Sequence, residues 1–117
     1  MSRKRGDKDY LADILEALTK VRQYTEGYAF DSFISDSKTQ DAVVRNLEII
    51  GEAAKQVSLT LKERHPDIPW KALAGVRDRL IHHYFGINYE IVWRIVTEEL
   101  SEVAAGIQEA LDEQTGE

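Results

Sequence analysis

Apolar residues recur at helical spacing along almost the whole chain. Leu11, Ile14, Leu15, Leu18 and Val21 lie three and four residues apart, which lines one face of a helix and predicts a first helix over about Asp9–Glu26, with Gly27 as its stop. Residues 27–36 read as a connection with a little local structure, because Phe30, Phe33 and Ile34 need somewhere to pack. Ser37-Lys38-Thr39-Gln40 has the form of a capping box and opens a long helix to about Arg64. Along it Val43, Leu47, Ile50, Ala54, Val57 and Leu61 step by 4, 3, 4, 3 and 4. That seam has a period of 3.5 and suits a long antiparallel neighbour. Gly51 falls inside this helix. It costs about 1 kcal/mol against alanine there, and a close helix crossing would explain it.

His65-Pro66-Asp67-Ile68-Pro69 breaks the pattern. Asp67 or Ile68 is expected to cap a third helix, with Pro69 in its first turn, running from Trp70 to about Phe85 and ended by Gly86. Asn88 is expected to cap a fourth helix carrying Val92, Val96, Leu100, Val103, Ile107 and Leu111. No segment reads as a strand or an internal repeat. The chain is therefore expected to be all-α: an up-and-down bundle of four main helices in one domain, 1–117, with residues 1–8 as a flexible N-terminal tail.

Composition narrows the function. With 117 residues the chain fills one domain whose core is small, so pairing with a second copy would help it. It has no cysteine, which excludes a disulfide framework and a thiolate metal site. No apolar run approaches the roughly 20 residues of a membrane span. The basic start, Met1 to Arg5, is not followed by a signal-type apolar core, so a cytoplasmic location is expected. The net charge of −6 argues against a general nucleic-acid binder. The charge is uneven, however. Residues 95–117 hold seven acids and no Lys or Arg, whereas residues 62–94 hold six bases against four acids and all three histidines. An anion-binding surface is expected in that middle stretch.

The third predicted helix carries the candidate chemistry. On an ideal helix Trp70, Leu73, Arg77, Leu80, Ile81 and Tyr84 share one stripe. Arg77 would then sit in an apolar row and need a partner, Glu48 or Glu52 of the second helix being candidates. Asp78 and His82 are four apart and would be neighbours. Arg77 and His82 would lie about 140° apart around the axis and about 7.5 Å along it. One helix cannot close both on a single atom, but two helices meeting at a dimer axis could. Such a cleft suits phosphodiester cleavage in RNA. A histidine can take a proton from a 2′-hydroxyl or give one to a leaving oxygen. An arginine offers a planar fork to phosphate, and Asp78 could hold the His82 ring in one tautomer. No metal is called for. Adjacent His82 and His83 point about 100° apart on a helix and cannot chelate one ion, and the Glu-x-x-His pairs of a di-iron bundle do not occur.

Arg77, four residues, His82, one residue, Tyr84 matches the Arg-x4-His-x-Tyr motif of the HEPN ribonuclease superfamily. More closely, the chain resembles the HepT-type toxin family. Arg45-Asn46-Leu47-Glu48-Ile49-Ile50-Gly51-Glu52-Ala53 looks like that family's second-helix signature, and Ile68-Pro69-Trp70 and Tyr89-Glu90-Ile91-Val92-Trp93 fit on either side of the motif. The likeness covers essentially the whole chain. It implies a homodimeric, metal-independent endoribonuclease without a cofactor that arrests growth when unrestrained. It also implies a cognate antitoxin, a minimal nucleotidyltransferase called MntA, that adenylylates the motif tyrosine, here Tyr84. The residue after the motif arginine is often Asn in the family; here it is Asp78, whose charge weakens phosphate attraction nearby.

Plainer roles stand beside these. Arg77 could tie two helices together, His82 could be a solvated histidine, and Tyr84 could simply pack. His83 occupies the variable motif position and reads as surface. Arg79 faces away from the stripe and reads as solvated, with an RNA-backbone contact as its functional alternative. The rival for the whole chain is a non-catalytic helical partner of a nucleotidyltransferase. A pure binding module would have no need of His82.

Overall fold

The computed structural model describes residues 4–82 and 86–115. α1 spans Asp7–Thr25, α2 Phe30–Ile34, α3 Ser37–Gln56, α4 Leu59–Arg64, α5 Trp70–Ala74 and α6 Val76–Leu80. The two-residue strands β1, Ile81–His82, and β2, Gly86–Ile87, follow. The chain then runs through α7, Tyr89–Arg94, a π-helical turn over Ile95–Glu99, and α8, Leu100–Thr115. Four rods result: α1, α3 with α4, α5 with α6, and α7 through α8. The all-α class is as expected. Among the described residues no helix is long and apolar enough to cross a membrane.

α1 packs along α3 and α8. Leu11, Ile14, Leu18 and Val21 of α1 meet Val43, Leu47, Ile50 and Ala54 of α3 and Leu100, Val103, Ile107 and Ala110 of α8 in one buried core. Every residue of the predicted 3.5-residue seam is buried, including Val57 and Leu61. The helix that carries the seam is nevertheless broken. Ser58 caps α4 by accepting the Leu61 N–H at 3.2 Å. The Asp7 carboxylate in turn accepts the Ser58 N–H at 2.8 Å and hydroxyl at 2.6 Å, tying the start of α1 to the break. α1 thus begins inside the stretch expected to be a tail, and Arg5 pairs with Asp13 at 2.6 Å.

Two caps differ from the sequence pattern: Pro69 itself, not Asp67 or Ile68, stands at the N-cap of α5, and the cap of α3 is shifted by one residue. Asp36, not Ser37, caps α3, accepting the Thr39 N–H at 3.1 Å, because a carboxylate competes well for an orphan donor. Gln40 is buried and donates to the Ile34 carbonyl at 3.0 Å instead of closing a capping box. Asn88 caps α7 as expected, accepting from Glu90 and Ile91. Phe33 of α2 finds its packing on α7, stacked on Trp93 with ring centroids 5.0 Å apart and edge-on to Tyr89 at 6.3 Å.

The expected third helix is where structure and pattern part most. Gly75 ends α5 and starts α6, so the rod is kinked, and it stops at Leu80 instead of Phe85. Ile81 to Phe85 is a run of β-branched, histidine and aromatic residues, all weaker helix formers than Leu, Arg or Ala. Gly86, with φ of 76°, turns the chain back. Ile81 pairs with Ile87 and His82 with Gly86 in an antiparallel hairpin. The Asn88 N–H donates to the Leu80 carbonyl at 2.7 Å, closing its base.

Candidate active site

The kink at Gly75 decides where Arg77 points. The inward positions of this rod are Trp70, Leu73, Val76 and Leu80. Val76 takes the place that a straight helix would give Arg77, so the expectation of an arginine in a buried apolar row is corrected. Arg77 is 68% exposed. Its Nε lies 3.9 Å from a Glu48 carboxylate oxygen on α3, the outer edge of an ion pair and a weak tie in water. Among the described residues nothing else engages the guanidinium, which leaves its fork open to a phosphate. Glu48 is thus the nearer of the two acids proposed to meet it.

Val76 is held inward by Gly51. A β-carbon on Gly51 would lie 3.1 Å from the Leu73 carbonyl oxygen and 3.1 Å from Val76 Cγ1. The glycine in the middle of α3 therefore marks the expected close crossing, and it is the crossing that seats the Arg77 helix.

His82 is not on that helix. Its backbone lies in β1, opposite Gly86. The helical arguments that placed Asp78 one turn from His82, and that separated Arg77 from His82 by about 140°, fail with the helix. Asp78 is exposed on α6. Tyr84 and His83 lie outside the described residues. What the structure does bring together is sequence-local: α6 presents Arg77, and the strand that leaves α6 carries His82.

Arg79 is neither buried nor a free surface arginine. Two residues beyond Arg77, about 200° around a helix, it faces the other way and forks onto both Glu99 oxygens, at 2.9 and 2.8 Å. Glu99's hydrogen bonds hold the Arg79 pKa above its usual value, and Arg79's hold the Glu99 carboxyl below its own. Sequence reasoning missed Glu99. The sequence offers both Ile95 and Val96 for the inward position, and the structure buries Val92, Ile95, Leu100, Val103, Ile107 and Ala110 along the last rod. The step of five from Ile95 to Leu100 is the π turn, closed by the Leu100 N–H on the Ile95 carbonyl. Val96, assigned to the buried stripe, is only half-buried as a result.

Residues 14–110 match the model of the HepT-like family, described as "Ribonuclease HepT-like". The chain belongs to the HepT-like ribonuclease family. A "Putative RNase" of Methanocaldococcus jannaschii is 44% identical over 114 residues, covering 97% of this chain and 94% of its own length. The "Probable ribonuclease HepT" of Thermococcus cleftensis is 47% identical over 97 residues, covering 83% and 88%. A "Putative RNase" of Caldanaerobacter subterraneus subsp. tengcongensis is 39% identical over 107 residues, covering 92% and 96%. No solved structure gives a significant match. The HepT-like match takes in α3 with Gly51, the kinked rod with Arg77, the hairpin and the π turn.

Proposed function

We propose that this HepT-like ribonuclease is an endoribonuclease toxin that cuts RNA without a metal, in a cleft shared by two copies. The observation that carries the reading is Arg77, exposed with an open fork on a helix seated by Gly51, five residues before a histidine within a family match spanning residues 14–110. Arg77 binds the scissile phosphate and the charge that develops on it. One His82 takes the 2′-hydroxyl proton as the 2′-oxygen–phosphorus bond forms. The His82 of the second copy protonates the 5′-oxygen as its bond to phosphorus breaks, leaving a 2′,3′-cyclic phosphate and a 5′-hydroxyl.

The partner is an MntA-type nucleotidyltransferase antitoxin. It transfers AMP from ATP to the Tyr84 hydroxyl, releasing pyrophosphate and the phenolic proton. The new phosphodiester competes with RNA for Arg77 and repels its backbone. Membership of a ribonuclease family and a free-facing Arg77 support this reading.

The test is cleavage of RNA by purified protein in EDTA. Arg77→Ala and His82→Ala should each lower the rate by about 10²-fold or more, with helicity and oligomeric state retained. Cleavage that needs an added divalent metal overturns the mechanism. A wild type that cuts no RNA but binds the nucleotidyltransferase leaves the non-catalytic partner in its place.

A further inference from the structure

α6 is too short to hold itself. Five residues give it little more than one turn of hydrogen bonds, well below the length at which a helix is stable alone. Its position comes from what it touches. Val76 enters the Gly51 notch on α3, and Leu80 is buried and anchors the hairpin through its carbonyl. These contacts fix its height and depth. They resist rotation about the helix axis poorly, because the inward residues are apolar and lie on one side. Rotation is the motion to which Arg77 is most sensitive. With a side-chain radius of about 5–6 Å, a roll of about 20° moves a surface group by about 2 Å, and misplacement by about 1 Å can cost about 10²-fold in rate.

Among the described residues one bidentate contact opposes such a roll, the Arg77–Glu48 pair at 3.9 Å being too long and exposed to do so. Arg79 lies on the far side of α6 from Arg77, and its planar fork engages both oxygens of Glu99 at 2.9 and 2.8 Å. A bidentate pair has a fixed geometry that a single-point contact lacks. Glu99 is itself placed by an unusual feature. It ends the π-helical turn Ile95–Glu99, which inserts one residue into the last rod and shifts the phase of its side chains.

We infer that Arg79 and Glu99 are positioning residues: the pair clamps α6 against the π turn and so sets the direction of Arg77 and the lie of the hairpin that carries His82. The inference rests on the proposed catalytic role of Arg77 and His82. It gives Arg79 a task different from an RNA-backbone contact, since both arms of its fork are engaged by Glu99.

The experiment is a double-mutant cycle on the full chain with Arg79→Gln, Glu99→Gln and the double variant, read in two ways. In RNA cleavage each single variant should lower kcat by about 10-fold or more while KM changes little, and the double variant should lose no more than the worse single one. In amide hydrogen exchange, Ile81, His82 and Gly86 to Asn88 should exchange at least about 10-fold faster in either single variant, with α1 and α3 unchanged. A KM rise in Arg79→Gln with unchanged kcat, or faster cleavage in Glu99→Gln from a freed Arg79, would make Arg79 an RNA contact and overturn the inference. Additive losses in the double variant also overturn it. If the wild type cuts no RNA, the catalytic reading falls and the exchange arm decides alone: faster hairpin exchange keeps the clamp, and unchanged exchange removes it.

Discussion

Gly51→Ala tests whether the close crossing seats the proposed catalytic arginine, Arg77, or merely fills space. The added methyl would lie 3.1 Å from the Leu73 carbonyl oxygen, 3.1 Å from Val76 Cγ1 and 3.7 Å from the Ala74 carbonyl oxygen. Two of these three atoms are backbone, so α5 and α6 must retreat from α3 by a few tenths of an ångström. Overpacking of this kind costs about 1–3 kcal/mol. Replacing a mid-helix glycine by alanine gives back about 1 kcal/mol. The expected net loss is about 0–2 kcal/mol, or a fall of up to about 8 °C in Tm for a chain of this size. The consequence for cleavage should be larger than that for stability, because the displaced residues lead directly into Arg77. The comparison is Gly106→Ala on α8, whose methyl would meet only the Ile68 side chain, at 2.9 and 3.3 Å. That variant should lower Tm to a similar degree and leave the rate per folded molecule unchanged. Thermal melts and single-turnover cleavage on both variants decide it. A Gly51→Ala protein that melts higher and cuts RNA at the wild-type rate would refute the notch as a seat for α6.

Three further outcomes follow from the same architecture. Tyr84→Phe should fold, yet gain no AMP when co-expressed with the nucleotidyltransferase, whereas intact mass should show AMP units on the wild type; a wild type inhibited but unmodified would point to occlusion by the partner. Asp36 accepts hydrogen bonds from the Tyr28 hydroxyl, the Thr39 hydroxyl and the Thr39 N–H, which hold its carboxyl down at about 2. A carboxyl lowered on folding stabilises the protein above its unfolded pKa of about 3.9 and loses that contribution as pH falls through the folded value, so Asp36→Ala should melt below wild type at pH 6, with the gap narrowing between about pH 4 and pH 2. Sedimentation at micromolar concentration should give a homodimer, and a clean monomer would remove the two-copy cleft.

What the sequence made legible was the packing, residue by residue, and what it concealed was continuity. Val43, Leu47, Ile50, Ala54, Val57 and Leu61 are all buried as their spacing implied, and Gly51 lies at a helix crossing. Periodicity is blind to breaks that preserve phase: Ser58 interrupts the long helix while Val57 and Leu61 stay four apart and inward. It is misled by breaks that change phase. Gly75 turned the third rod so that Val76 went in and Arg77 came out, and the π turn put Ile95 where Val96 was expected. Both phase errors fall in the two elements that meet through Arg79 and Glu99, and neither error is random. A regular helix over residues 70–85 would have buried Arg77, which the proposed chemistry needs exposed, and a regular helix over residues 89–111 would have changed the direction in which Glu99 points. Arg77 and His82 stood out in the sequence because their types and spacing suit the proposed chemistry. Their arrangement did not, because it depends on a kink, a five-residue helix and a hairpin, whose stability lies in tertiary contacts and not in local propensity.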